Sequence, residues 1–113
     1  MKKIVYVASP YTEGDQFVNV RNSVLVGMQL RGLGLLPKLP LLWAFWHFIK
    51  PETYNFWHEM CLDWIPHCHA VLRLPGESEG ADSEVAEAKI HGIPIFYSIR
   101  EIVEWTRVDV TSP

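Results

Sequence analysis

AVLRLPGESEGADSEVAEAKIHGIPIFY, residues 70–97, is the stretch that decides the fold. Ala70 to Leu74 is a short apolar run of strand type, closed by the Pro75–Gly80 loop. Ala81 to Ile90 then reads as a helix carrying Val85, Ala88 and Lys89, stopped at Gly92. Ile93 to Tyr97 is a further apolar strand, expected to be buried. Strands alternating with helices in this rhythm call for a parallel sheet covered on both sides. Working outward, Lys3 to Ala8 (KIVYVA) is another continuous apolar strand. After the break at Ser9-Pro10-Tyr11-Thr12, Phe17, Val20, Val24, Met28 and Leu35 recur at helical steps, with Gly32 and Gly34 as the stop. A short strand is expected around residues 35–38. The aromatic stretch from Pro40 to Lys50 reads as a loop or short helix. A helix opens at Pro51-Glu52-Thr53, with Thr53 as its cap, and ends at Pro66. A short helix is expected from Ile99 to Trp105, and the alternation from Arg107 to Val110 suggests an added edge strand. The expected fold is a Rossmann-like three-layer α/β domain with a parallel sheet of four or five strands, a single domain over residues 1–113.

Composition narrows the function classes. The 113 residues are 49% hydrophobic and 20% charged, which suits a packed core and excludes disorder over most of the length. Ten Lys+Arg against thirteen Asp+Glu leave a net charge of −3, without the basic footprint of a nucleic-acid binder. Two cysteines, Cys61 and Cys68, make no disulfide framework. The start MKKIVYVASPY runs directly into a strand pattern rather than a signal peptide, and no apolar run reaches membrane-spanning length. A soluble cytoplasmic protein, bound neither to membrane nor to nucleic acid, is the expectation.

In a parallel sheet, ligands sit beyond the carboxyl ends of the strands. Two loops fall there: SPYT after the first strand, and PGESEGADSE after the strand at 70–74. The second loop enters a helix whose first turn offers free N–H groups and a partial positive charge. Glu84 stands one turn inside that helix, facing the loop. Glu79, Asp82 and Glu84 can equally be read as acids matched to the dipole on a solvated first turn. Asp63 lies near the C-terminal end of the preceding helix, where an acid opposes the dipole. Two carboxylates meeting at one cleft from different elements are what glycosyl transfer requires, one attacking the anomeric carbon and the other handling protons.

VYVASPYT, the Asp63 helix and the 70–97 stretch together resemble the nucleoside 2-deoxyribosyltransferase-like superfamily, and are most similar to its small bacterial and phage branch. The likeness runs in order from about residue 4 to 97. Its most specific part is Ser78-x-Gly80-x-x-x-Glu84 followed by Ala88 and Gly92-Ile93-Pro94. The resemblance implies that Glu84 is a nucleophile forming a covalent deoxyribosyl intermediate, with Asp63 as the proton-handling acid. It further implies Tyr11, with Ser9, as a substrate contact, and Ser78 and Gly80, with Gly76, lining the sugar or its 5′ end. It calls for no cofactor and no metal, and for a homodimer or larger homo-oligomer whose copies complete each other's sites. One departure stands out: relatives carry Cys-Asp ahead of the strand at 70–74, and this chain has Cys68-His69. The acids of the loop from 77 to 84, with no base among them, favour an unphosphorylated nucleoside over its 5′-monophosphate.

Two other features compete for a role. His58, Cys61, His67, Cys68 and His69 cluster in sequence, but their spacing fits no zinc pattern. The chain holds five Trp, four Tyr and five Phe, several of them between Trp43 and Trp57. So short a domain cannot hide all of these rings, so they form an oligomer interface, a base-stacking wall or part of the core. The function expected is cleavage or transfer at the N-glycosidic bond of a 2′-deoxyribonucleoside or its 5′-monophosphate. The alternatives are a non-catalytic nucleoside- or nucleotide-binding module of the same fold and a structural subunit.

Overall fold

In a computed structural model that describes residues 2–111, four strands form one parallel sheet in the order β2-β1-β3-β4. The strands are β1 (Ile4–Ala8), β2 (Leu36–Lys38), β3 (Ala70–Arg73) and β4 (Ile95–Phe96), and the helices are α1 (Gln16–Gly32), α2 (Ala44–Ile49), α3 (Tyr54–Trp64), α4 (Glu79–Ile90) and α5 (Ile99–Thr111). Single 3₁₀ turns occupy Pro40–Trp43 and Ile65–His67. No helix among the described residues is long and apolar enough to cross a membrane.

Alternation along the two central strands divides the core in two. Val5, Val7, Ala70 and Leu72 face Leu30 of α1 and Ile102 of α5. Tyr6, Ala8 and Val71 face the opposite way, against Ile65 and the Ala81, Val85 and Ala88 stripe of α4. Tyr6 pairs in register with Val71 and with Lys38, and Ala8 with Arg73. Tyr6 and Arg73 therefore share the sheet face that α3 and α4 cover.

Several expectations need correction. The strand at 93–97 shortens to Ile95–Phe96 and is a half-buried edge, because β4 has a neighbour on one side only. No strand forms at Arg107–Val110: the backbone there continues α5, whose Ile99, Ile102 and Trp105 at helical spacing already pack on the sheet. The helix α1 turns a different stripe inward than its large apolar residues suggest. Phe17 and Met28 are exposed, while Ser23, Gly27 and Leu30 are buried. Close packing is the reason, since a Cβ on Gly27 would lie 2.7 Å from Leu39 Cδ1. The Thr53 cap is present, its hydroxyl accepting from Phe56 N at 3.1 Å. The stretch from Pro40 to Lys50 folds as a 3₁₀ turn followed by α2.

Candidate active site

The SPYT loop and the loop after β3 meet at the carboxyl edge of the sheet. Leu74 N donates to Ala8 O at 2.9 Å, extending the ladder one residue past β3. Gly76 then turns with φ +115°, and a Cβ on it would sit 3.0 Å from Pro10 Cγ. Only glycine combines that backbone conformation with so close an approach. On the other side, Asn19 of α1 ties down the first loop, donating to Tyr11 O (3.1 Å) and Glu13 O (2.8 Å). Ser9 is buried and its hydroxyl donates to Pro10 O at 3.1 Å. Ser78 caps α4, its Oγ accepting from Ala81 N at 3.0 Å, and Gly80 follows in the first turn. Tyr11 is half-buried.

Glu84 occupies a position that packing reserves for an apolar residue. It belongs to the inward stripe Ala81, Glu84, Val85 and Ala88, and is 9% exposed. Its Oε2 and the hydroxyl of the completely buried Tyr6 are shut off from solvent and have no other partner of normal hydrogen-bond geometry, so each is left to the other and to Cys61. Burial pushes the Glu84 carboxyl up to about 7, while the nearby Tyr6 hydroxyl and the Arg73 guanidinium pull the other way. Tyr6 is raised well above the ordinary tyrosine value by burial, and further by Glu84 and Cys61. The Cys61 thiol, on α3 across from them, is pushed up to about 12 by burial and then by Glu84. Tyr6, Cys61, Glu84 and Arg73 are thus one electrostatic group.

Arg73 holds this corner together. Its guanidinium donates to Leu74 O, to Gly76 O at 2.9 Å and to Asp82 Oδ1 at 3.0 Å. The side chain is 10% exposed, so the ion pair with Asp82 is partly desolvated on the arginine side. The positive charge that the loop itself lacks arrives from beneath, out of β3.

Asp63 does not share this group. It is exposed and lines a shallow groove of about 450 Å³ between α3 and α4, with Glu59, Leu62, Pro66, Glu87 and His91. A second groove of about 300 Å³ runs past Ser9, Pro10, Leu74 and Pro75 toward Asn19 and Asn22. Glu84 lines neither. Asp63 thus opens onto the α3–α4 groove, while the immediate electrostatic surroundings of Glu84 are a tyrosine, a cysteine and an arginine.

The remaining sequence candidates disperse. His69 stands at the amino edge of the sheet, where its Nδ1 accepts from Ile4 N at 2.9 Å and its own N–H donates to Ile4 O at 2.8 Å. It extends the β1–β3 ladder at the end opposite Glu84. Cys68 is buried and its thiol donates to Trp64 O at 3.4 Å. His58 stacks on Tyr54, centroids 5.6 Å apart. Among the described residues no three His, Cys, Asp or Glu side chains converge as metal ligands.

Tyr6 and Asn19 are the site residues that sequence reasoning passed over, whereas Arg73 is the cation that could offset the acids of the loop from 77 to 84. Tyr6 was legible in principle as a polar tip inside an apolar strand run.

A scan against protein-family models finds no match, and no curated protein matches the chain. Among solved structures, the chain is similar to a 2-deoxyribosyltransferase from the psychrotolerant bacterium Bacillus psychrosaccharolyticus, a biocatalyst for nucleoside synthesis. The identity is 22% and the TM-score 0.57, over 81% of this chain and 69% of that one. At that identity the likeness establishes the shared α/β fold.

Proposed function

We propose that the chain cleaves or transfers at the N-glycosidic bond of a 2′-deoxyribonucleoside, with Glu84 as nucleophile. The observation that carries this reading is a carboxylate buried in a core stripe at the sheet's carboxyl edge, with one oxygen shut off from solvent. Core positions do not keep a desolvated carboxyl for stability, since burying such a group costs several kcal/mol unless it is fully paired (about 1–3 for one unpaired polar atom, more when charged). The fold shared with a 2-deoxyribosyltransferase supports the same reading.

In the proposed reaction the ionised Glu84 oxygen bonds to C1′ as the C1′–N bond breaks. The bonding electrons leave with the base, which takes up a proton on its nitrogen. Asp63 is the proposed handler of that proton. Water, or a second base, then displaces Glu84 from C1′ and restores the free carboxylate. Tyr6 orients the Glu84 carboxyl, and Ser9, Tyr11, Gly76, Ser78 and Gly80 form the proposed substrate surface. The Arg73 guanidinium is already occupied by Leu74, Gly76 and Asp82, so an unphosphorylated nucleoside is the preferred substrate over its 5′-monophosphate. No cofactor or metal enters this scheme. Within the same proposal the enzyme acts in the cytoplasm as a homodimer or larger homo-oligomer.

A non-catalytic nucleoside-binding module is the competing reading, favoured by the enclosure of Glu84 away from both grooves. One experiment separates them. The protein is incubated with deoxynucleosides and their 5′-monophosphates, with and without acceptor bases, and released or exchanged base is separated by chromatography. Base release by wild type, its loss in Glu84→Gln, and a deoxyribosyl adduct on the Glu84 peptide by mass spectrometry are the expected results. Undiminished turnover in Glu84→Gln sinks the mechanism, and binding without turnover on the whole panel favours the module.

A further inference from the structure

Behind Glu84 stands a group to which the proposed reaction gives no task, the Cys61 thiol. Cys61 belongs to α3 and packs against the core cluster that holds Tyr6, Ala81 and Val85. Its thiol is within hydrogen-bonding reach of the Tyr6 hydroxyl, which in turn reaches Glu84. Three elements thus bring three proton-bearing groups together: Cys61 from α3, Tyr6 from β1 and Glu84 from α4. The tyrosine in the middle is completely buried, and among the described residues its hydroxyl has no backbone partner.

Counting protons fixes the direction of this chain. An ionised carboxylate only accepts, so the single Tyr6 proton must point at Glu84. The tyrosine oxygen then needs a donor of its own. The Arg73 guanidinium is directed at Leu74 O, Gly76 O and Asp82 Oδ1. Cys68 donates to Trp64 O at 3.4 Å, and Lys38 Nζ of β2 lies 3.8 Å from the centre of the Trp64 ring. Cys61 is left, and it keeps its proton. Burial pushes this thiol up to about 12, with Glu84 adding to the rise and Lys38 opposing it.

We propose that Cys61 is a positioning residue for the nucleophile: its thiol donates to the Tyr6 oxygen and so holds the tyrosine proton on the Glu84 carboxylate. The role rests on the reading of Glu84 as the glycosyl nucleophile; the direction of the hydrogen bonds does not. A thiol suits the place, because its weak polarity lets it sit in an apolar cluster where a hydroxyl costs more to desolvate. A hydrogen bond received by the tyrosine oxygen also polarises the O–H bond that it gives. Without that donor the hydroxyl is free to turn about its C–O bond, and its hold on the carboxylate weakens. Arg73 of β3 bears on Glu84 and Lys38 of β2 on the thiol, and both stay in every variant compared below.

The test sets Cys61→Ala against Cys61→Ser, two side chains of nearly equal size that differ by a hydroxyl. Protein labelled with carbon-13 at its glutamate carboxyls is titrated by NMR without substrate, the Glu84 signal being the one lost in Glu84→Gln. Wild type is expected to titrate at about 7, and Cys61→Ser at or below the wild-type value. Cys61→Ala should titrate about half a pH unit or more above wild type, leaving about threefold less ionised carboxylate at pH 6. The acid limb of kcat/KM on a deoxynucleoside should move with it, while the plateau at high pH stays. In a Tyr6→Phe background the Ala and Ser variants should titrate alike, because the thiol acts through the tyrosine hydroxyl. Should Cys61→Ala lose its circular dichroism signal, Cys61→Val replaces it, filling the space of the thiol without a donor. Equal titration of the Ala and Ser variants overturns the proposal, as does a difference that persists in Tyr6→Phe. Failure to release base from any deoxynucleoside refutes glycosyl transfer instead, and the NMR comparison still decides what the thiol does.

Discussion

In the proposed reaction Glu84 is the nucleophile, and the Arg73 guanidinium opposes the effect of burial on its carboxyl. A glycosyl nucleophile must be ionised, yet burial holds Glu84 near 7. Activity is therefore expected to rise with pH along a limb centred near that value. Arg73 opposes the burial effect, so removing its charge in Arg73→Met raises the Glu84 pKa further. The acid limb of kcat/KM should then move to higher pH, with most of the loss at pH 6–7 and recovery at pH 9. Arg73→Lys, which keeps the charge but loses the fork reaching Leu74, Gly76 and Asp82, should return the limb toward wild type. A flat loss at every pH would mean that Arg73 only shapes the loop. At this scale the position of Glu84 at the loop-to-helix junction was legible, but its burial was not, since Asp82, Ser83 and Glu87 make the same helix read as solvated. The groove that Asp63 lines was not legible either, because one residue's rotation around α3 decides which groove its carboxylate enters.

At the scale of elements, two glycines decide how closely segments approach. Gly76 has a left-handed backbone and stands against Pro10, so Gly76→Ala is strained twice. It should cost about 1–3 kcal/mol, read as a lower denaturation midpoint with unchanged slope, and should part the two loops enough to impair turnover. Gly27 lets α1 lie against Leu39, and Gly27→Val should overpack that contact by about 1–3 kcal/mol. The Leu39 end is flexible, so a Leu39→Ala second substitution should recover part of the loss, as a double-mutant cycle would measure. The inward stripe of α1 was hidden in the sequence for the same reason. Ser23 and Gly27 carry little hydrophobicity, and their burial comes from fitting under neighbours rather than from transfer free energy. The short strand at residues 36–38 and the Thr53 cap, by contrast, follow from local chemistry and were legible.

Across the whole molecule, the buried carboxyl makes stability depend on pH. Glu84 has a higher pKa folded than unfolded, so between about 4.5 and 7 the native state holds the extra proton. Stability contributed by that proton is present below the unfolded value and is lost as pH rises through 7. The full loss is at most about 3 kcal/mol. In Glu84→Gln this pH dependence should vanish, and the variant should melt above wild type at pH 8 while the two converge near pH 4; thermal denaturation at both pH values checks it. A variant less stable than wild type at pH 8 would mean that Glu84 is not strained in the fold. The sequence by itself determined the layered α/β architecture, because strand and helix periods and their turn residues are local signals. It also singled out Glu84 as the residue to test, through its place one turn inside the helix after the Gly-rich loop and through the family resemblance of that stretch. Only the tertiary structure decided what surrounds Glu84, which face of α1 is inside, and that α2 is left uncovered. Those depend on which side chains distant segments bring within a few ångströms of one another, and on how much surface one chain has to bury.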